Sequence, residues 1–304
     1  MQPAPLKPNA RLALIAPSSP IYEAENRQAA VSLLEEMGFA VKVYESVSAQ
    51  RGYLSGSDLI RARDVMDAFA DPHIDGVICL RGGYGAARLL PLIDFEVIRR
   101  NPKVFVGFSD ITALHLAFYA HTGLVTYHGP MPGAQSLTGL REPHSRRMWL
   151  DTLGGNPPQE IYNPGGDPFR PFHNNGAAEG VLVGGNLAVL CSLLGTPYLP
   201  DFTGKLLLLE DVGERPYRID RMVNQLRTSG IFDSVAGVVL GDFTQCEAES
   251  HTLALDEIFR ELLPDHLPVI CNVHAGHGQD KITLPLGVPY QLDADAATLT
   301  RLNY

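Results

Sequence analysis

Cysteine and tryptophan are scarce in this chain, and the shortage of cysteine excludes one class of fold. Its 304 residues include four cysteines and one tryptophan, and no C-x-x-C motif occurs. We therefore do not expect a disulfide framework. We expect reduced, buried thiols in a cytoplasm-like compartment. The four cysteines are Cys79, Cys191, Cys246 and Cys271.

Positive charge and long apolar runs are also lacking. The 24 lysines and arginines are outnumbered by 34 aspartates and glutamates, which gives a formal net charge of −10. Because no basic stretch offsets this balance, neither nucleic acid nor an anionic membrane surface is expected as a partner. The first apolar run, residues 12–16, is shorter than a signal-peptide core or a membrane span. We therefore expect a cytoplasmic protein, with two cores at this length.

The first half of the chain alternates strand-like and helix-like runs. This rhythm predicts an α/β domain with a parallel sheet covered by helices on both faces. In such sheets the functional site lies beyond the carboxyl ends of the strands. The strand-like runs are residues 12–16, 40–44, 76–80 and 104–106, and the helix-like runs are residues 23–37, 58–70, 86–93 and 111–120.

Periodicity is lost in residues 154–176, where proline, glycine and asparagine dominate. That composition predicts a linker between an N-terminal domain, residues 1–153, and a smaller C-terminal α/β domain, residues 177–304. In the second domain we predict strands near residues 180–183, 205–209, 235–240, 268–272 and 299–302, and helices at residues 186–194, 218–229 and 255–263.

Ser109 follows the apolar run that ends at Gly107, and a helix-like segment begins directly after it. A serine on a sharp strand-to-helix turn has its hydroxyl pushed out of the sheet, and the first amides of the helix lie close to it. This is the layout of a nucleophile elbow. Alternatively, Ser109 and Asp110 cap the helix, since both side chains accept hydrogen bonds from exposed amides. The segment alone leaves both interpretations open.

The glycine-rich turn at residues 81–85, RGGYG, also follows a predicted strand directly. It lacks both G-x-x-x-x-G-K-[ST] and G-x-G-x-x-G, the patterns typical of phosphate-binding loops. It is either a phosphate cradle, a tight turn without function, or a turn that brings a backbone N–H to a reacting carbonyl. We favour the third interpretation because of a family resemblance described below.

A serine nucleophile needs a base to take its proton and a third group to orient that base. Four leucines at residues 206–209 precede Glu210 and Asp211, which places two carboxylates at the rim of a buried strand. A solvated strand end, or a charge cap on a helix that begins near Pro216, explains the same pattern. Glu214 lies close enough in sequence to compete for the orienting role.

Two histidines, His274 and His277, follow the predicted strand at residues 268–272, and glycines flank the second. A histidine between glycines at a strand end is better suited to reaching a ligand than to packing. The pair could also bind a metal, but no helix is expected there and no third ligand stands at a metal-like spacing. Spacing alone does not choose between the two histidines.

Taken together, these segments resemble the LD-carboxypeptidase family of serine peptidases, the muramoyltetrapeptide carboxypeptidases. Each match is short, but the matches are in the family's order along the whole chain, which makes the resemblance specific. They are IAPS at 15–18, RGGYGA at 81–86, GFSDITA at 107–113, GPM at 129–131, GGNL at 184–187, LGTP at 194–197, LED at 209–211, GH at 276–277 and LPLG at 284–287.

The resemblance implies a Ser-Glu-His triad in which Ser109 is the nucleophile, His277 the base and Glu210 the residue that orients His277. The motif matches favour Glu210 over Glu214 and His277 over His274. The active site then lies between the two domains. Backbone amides of Asp110 and Gly83 are expected to form the oxyanion hole. No metal or other cofactor is required for this chemistry.

The resemblance further implies a homodimer that releases terminal D-alanine from murein tetrapeptides, across an L,D-peptide bond, during peptidoglycan recycling. An arginine is suited to bind the terminal carboxylate, and three lie near the motifs: Arg81, Arg215 and Arg218.

Three other functions compete with this one. The microcin-immunity branch of the same family cleaves peptidyl or aminoacyl nucleotides, and its members are expected to stack the base on an aromatic side chain. Here the only tryptophan, Trp149, is expected in the core, which leaves the linker aromatics Tyr162, Phe169 and Phe172. A general α/β-hydrolase is disfavoured because Ile111 stands where G-x-S-x-G needs glycine. A non-catalytic ligand-binding relative is the third.

Overall fold

The structure is a computed structural model that describes residues 1–133, 139–173, 176–247 and 251–302. Its strands in these ranges are β1 (Arg11–Ile15), β2 (Ala40–Val43), β3 (Gly76–Cys79), β4 (Val104–Gly107), β5 (Thr126–His128), β6 (Arg170–His173), β7 (Ala177–Asn186), β8 (Leu206–Val212), β9 (Gly237–Thr244), β10 (Val269–Cys271), β11 (Leu284–Leu286), β12 (Pro289–Asp293) and β13 (Thr298–Arg301).

The α-helices in the same ranges are α1 (Ala24–Glu36), α2 (Asp58–Ala70), α3 (Phe95–Arg100), α4 (Thr112–Thr122), α5 (Pro143–Leu153), α6 (Leu187–Ser192), α7 (Pro216–Thr228), α8 (Ile231–Ser234) and α9 (Leu255–Leu262). Four short 3₁₀-helices accompany them, Glu45–Val47, Ala86–Leu92, Ser109–Ile111 and Gly139–Arg141. None of the helices in the described ranges has both the length and the apolar character needed to cross a bilayer.

The strands form two sheets. The first has the order β11-β5-β4-β3-β1-β2, and its strands β1 to β5 are parallel to one another, as the alternating rhythm of the sequence predicts. The second has the order β13-β12-β7-β8-β9-β10-β6, with a parallel centre from β7 to β10 and antiparallel edges. The prediction of two α/β units is confirmed.

Two strands depart from the predicted organisation. Strand β6 lies inside the segment expected to be an irregular linker, and it pairs antiparallel with β10 at the edge of the second sheet. Strand β11 belongs to the C-terminal half of the chain but pairs antiparallel with β5 in the first sheet. The chain thus returns to the first sheet after building most of the second. The division of the chain at residues 153 and 177 stays a prediction.

The core is divided into two layers by the alternation of side chains along the strands. Successive strand residues point to opposite faces of a sheet, and here each layer runs continuously across both sheets. The two sheets are therefore packed as neighbours in one body. One layer contains Ala13, Ile15, Phe105, Leu207 and Leu209, and the other contains Leu12, Leu14, Val106, Leu206 and Leu208. All four cysteines are unpaired, and Cys79, Cys191 and Cys246 are buried.

A buried hydrogen bond connects the two sheets at the start of α4, the helix that follows β4. The Thr112 hydroxyl oxygen, at the start of α4, accepts a hydrogen bond from the backbone N–H of Asn186 at 2.9 Å. Gly185 permits this approach, because a Cβ there would lie 2.5 Å from that oxygen. This contact fixes the end of β7, next to β8, against the beginning of α4.

We predict that Thr112→Val destabilises the protein, because valine has the same shape but leaves the buried Asn186 N–H without its acceptor. The expected loss is about 1–3 kcal/mol of the free energy of unfolding, measured by urea denaturation. Thr203→Val is the control, since that hydroxyl bonds to Asp201 on the surface. Equal stabilities for the two variants would contradict the role given to this contact.

Candidate active site

Ser109 stands on a sharp turn between β4 and α4. Its φ of +63° is in the left-handed region, which is uncommon for a residue with a side chain and is often found at functional sites. The turn is closed tightly, since a Cβ at Gly107 would lie 2.6 Å from the Ile111 side chain. The glycine-rich turn packs on the serine, where a Cβ at Gly82 would lie 3.0 Å from the Ser109 hydroxyl oxygen. The geometry has the form of a nucleophile elbow.

The alternative, that Ser109 and Asp110 cap the helix, is not what the side chains do. Helix α4 has no side-chain hydrogen bond at its N-cap. The buried carboxylate of Asp110 instead accepts the Ser18 hydroxyl at 2.6 Å and the Ala86 N–H at 2.8 Å. Burial raises the pKa of Asp110. This carboxylate ties the serine turn to the loop after β1 and to the glycine-rich turn.

Arg61, on α2, binds the loop after β1 and the glycine-rich turn, a role that no sequence pattern indicated. Its fully buried guanidinium donates to the carbonyls of Pro17 at 2.5 Å and Gly85 at 2.9 Å, and it pairs with Asp58. Burial lowers the pKa of Arg61. Arginines on an amphipathic helix are ordinarily exposed, so only the folded structure shows that this one is structural.

His277 and Glu210 are hydrogen-bonded to each other. The Nδ1 of His277 lies 2.8 Å from Oε2 of Glu210. The sequence placed Glu210 at a strand rim, but the structure buries it completely within β8, whereas the His277 side chain is 19% exposed. Gly276, with a φ of +145°, allows the close approach, because a Cβ there would lie 2.7 Å from Oε2 of Glu210.

The competing side chains are engaged elsewhere. Glu214 forms an ion pair with Arg218 at 3.4 Å. His274 faces Asp167 at 3.6 Å, in the segment before β6. Asp211, beside Glu210, accepts hydrogen bonds from the Asn186 side chain and the Ala188 N–H, and burial raises its pKa to about 6. Geometry therefore pairs His277 with Glu210.

Ser109 and His277 line one cavity of about 200 Å³. Gly83 also lines it, and within the described ranges its N–H donates to no protein acceptor. Of the three arginines considered from the sequence, Arg81 is on the cavity wall. The full lining is Arg81, Gly82, Gly83, Phe108, Ser109, Met131, Gly133 and His277. Asp110 is not part of the lining, and its carboxylate is turned inward.

The arrangement provides the parts needed for acyl transfer. A histidine whose Nδ1 is bonded to a buried carboxylate keeps Nε2 available to accept a proton from a hydroxyl. A free backbone N–H on the same wall can stabilise a developing oxyanion. In the described part of the chain, no cluster of three or more His, Cys, Asp or Glu side chains is arranged to hold a metal ion.

Comparisons with known proteins find one family. The pattern that defines the LD-carboxypeptidase N-terminal domain matches residues 12–129, and that of the LD-carboxypeptidase C-terminal domain matches residues 179–292. A putative carboxypeptidase of Streptomyces coelicolor is 44% identical over 99% of this chain and 96% of its own length. A murein tetrapeptide carboxypeptidase of Pseudomonas aeruginosa is 35% identical over 91% of each chain.

Solved structures agree with these relatives. The crystal structure of muramoyltetrapeptide carboxypeptidase from Oxalobacter formigenes has a TM-score of 0.83 and 31% identity, and covers 95% of this chain and 97% of its own. The microcin C7 self-immunity protein MccF of Escherichia coli is 27% identical over 87% of this chain and 84% of its own length. A MccF complex with glutamyl sulfamoyl guanosine shares the fold, with a TM-score of 0.87 at 24% identity and coverage of 99% and 98%.

The pairing of His277 with Glu210 predicts unequal effects of two neighbouring carboxylates on the reactivity of Ser109. We expect Glu210→Gln to slow the labelling of Ser109 by a fluorophosphonate roughly 100-fold or more, because His277 loses its orienting charge. Glu214→Gln should change the rate by less than about twofold. The rates are measured by mass spectrometry, with Ser109→Ala as the unlabelled control. Slower labelling of Glu214→Gln than of Glu210→Gln would reverse the assignment.

Proposed function

Because the chain belongs to the LD-carboxypeptidase family, we propose that it is a serine carboxypeptidase that releases the terminal D-alanine of murein tetrapeptides. The observation that carries the proposal is the 2.8 Å hydrogen bond between His277 and the buried Glu210, on a cavity that Ser109 also lines. A buried carboxylate costs free energy unless it is paired. The hydrogen bond to His277 offsets part of that free-energy cost, and burial of the carboxylate is expected where it orients a catalytic base.

In the proposed reaction, the Ser109 hydroxyl oxygen attacks the carbonyl carbon of the scissile amide while His277 takes the hydroxyl proton. The C–N bond then breaks, and His277 returns the proton to the leaving amine of D-alanine. Water attacks the resulting acyl-enzyme in the same way and regenerates the serine. Glu210 accepts the hydrogen bond of Nδ1 and stabilises the imidazolium that forms at each step.

Two further contacts complete the proposal. The N–H groups of Gly83 and Asp110 stabilise the oxyanion, and the position of Gly83 on the cavity wall supports its part. Arg81 is the arginine best placed to bind the terminal carboxylate of the substrate, since it lines the cavity whereas Arg218 pairs with Glu214. A guanidinium presents parallel donors that match a carboxylate.

The side chains favour murein peptides over peptidyl nucleotides as substrates. Trp149 is fully buried and packs edge-on against Phe39, so it is not available to stack on a base. Phe169 and Phe172 are buried as well, which leaves Tyr162 as the exposed aromatic among the candidates considered from the sequence. Relatives named for murein peptides, at 35% and 36% identity, add to this preference. We propose that the enzyme is a cytoplasmic homodimer that acts in peptidoglycan recycling.

The test is to incubate the purified protein with a murein tetrapeptide and to follow free D-alanine by mass spectrometry. We expect release by the native chain and a loss on the order of 10⁴-fold or more in Ser109→Ala, because members of a triad act as a unit. A peptidyl nucleotide serves as the second substrate. Cleavage of the nucleotide conjugate alone would assign the immunity function, and turnover of neither substrate would overturn both.

A further inference from the structure

A buried lysine, Lys281, forms hydrogen bonds with the loop that carries His277. Lys281 is 5% exposed, and its ammonium donates to the carbonyls of Gly276 at 2.9 Å and Gly278 at 2.7 Å. These carbonyls belong to the residues immediately before and after His277. The same ammonium lies 5.0 Å from the centre of the Phe108 ring, whose other contacts include the His277 ring at 4.9 Å. Three contacts thus hold the Lys281 ammonium against the loop that carries His277 and against the ring that the imidazole packs on.

An acidic side chain holds the same loop. The carboxylate of Asp242, on β9, accepts the Gly278 N–H at 3.2 Å. Gly278 has to be glycine for this contact, since a Cβ there would lie 2.8 Å from the same carboxylate. Gly278 is therefore held by two charged groups: its carbonyl accepts from the Lys281 ammonium, and its N–H donates to the Asp242 carboxylate.

Of the charged side chains at this loop, Glu210 and Lys281 are buried and Asp242 is half-buried. Oε1 of Glu210 has no hydrogen-bond partner within the described ranges, so that carboxylate depends on nearby charge for part of its stabilisation. Burial lowers the pKa of Lys281 to about 8, against the attraction of Asp242 and Glu210. Burial raises the pKa of Asp242 and lowers that of the neighbouring His128 well below its usual value, which leaves His128 uncharged at neutral pH.

We propose that Lys281 is a positioning residue for His277, which holds the loop at residues 276–278 by both carbonyls and acts, with Asp242, to set the electrostatic environment of the imidazole. This inference rests on the proposed role of His277 as the base. A cation beside an imidazole disfavours its protonation, and an anion favours it. Lys281 and Asp242 therefore act on His277 in opposite directions.

The test compares pH profiles of kcat/KM for D-alanine release in Lys281→Met and Asp242→Asn. Removal of the cation lets His277 keep its proton to higher pH, so the acid limb of Lys281→Met moves up by about half a pH unit or more. Removal of the anion moves the limb of Asp242→Asn down. In Lys281→Met, kcat falls roughly 10- to 100-fold while KM changes by less than about threefold.

Lys103→Met is the matched control. Lys103 is a partly buried lysine of the first domain that also donates to two backbone carbonyls, those of Ala68 and Asp71, away from the cavity. Its variant should keep the native profile. Loss of kcat in Lys281→Met with an unshifted acid limb would show a structural role alone and overturn the inference. Shifts of the same sign in Lys281→Met and Asp242→Asn would overturn it too.

Two further outcomes separate this inference from the proposed function. If Lys281→Met does not fold, the downward shift in Asp242→Asn, a variant of equal size, still decides the matter. If the native chain releases no D-alanine, the profiles are taken from the rate at which a fluorophosphonate blocks Ser109, which requires the base but no murein peptide. Opposite shifts there would support the inference after the proposed substrate had failed. Absence of labelling in the native chain would overturn the triad and this inference together.

Discussion

The hydrogen bond between Glu210 and His277 is the constraint around which the site is built. A fully buried carboxylate inside a strand is costly unless it is paired, and here the partner comes from a loop more than 60 residues later in the chain. The loop can approach because glycine stands at position 276. It stays in place because Lys281 and Asp242 bond to the backbone on either side of the histidine.

Ser109 follows a strand of the first sheet, whereas Glu210 lies in a strand of the second. The site therefore also requires that the two sheets keep a fixed position relative to each other. Three features provide it: core layers that run across both sheets, strand β11 of the C-terminal half paired in the first sheet, and the bond from Asn186 to Thr112. Thr112 is the third residue after Ser109. The segment that forms the serine turn therefore also forms the junction between the sheets, so the proposed nucleophile and the packing of the two sheets depend on the same residues.

The sequence predicted the parts of the fold that depend on local periodicity. Helix α2 has the predicted bounds, and the central strands of both sheets lie where apolar runs indicated. Strands β5, β6, β11 and β12 were not predicted, since they are short or proline-containing and are stabilised by distant partners. Motifs pointed to Ser109, Glu210 and His277. Arg61 and Lys281 were missed because a charged residue gives no local sign that it will be buried.

The central claim is that Ser109 and the Glu210–His277 pair act on the same carbonyl. A crystal structure of the chain after reaction with a phosphonate analogue of the terminal D-alanine bond tests it most directly. The account predicts a covalent bond between phosphorus and the Ser109 oxygen, with the phosphoryl oxygen about 3 Å from the N–H groups of Gly83 and Asp110. It also predicts that His277 keeps its hydrogen bond to Glu210. An adduct on another residue, or one turned away from both His277 and Gly83, would contradict it.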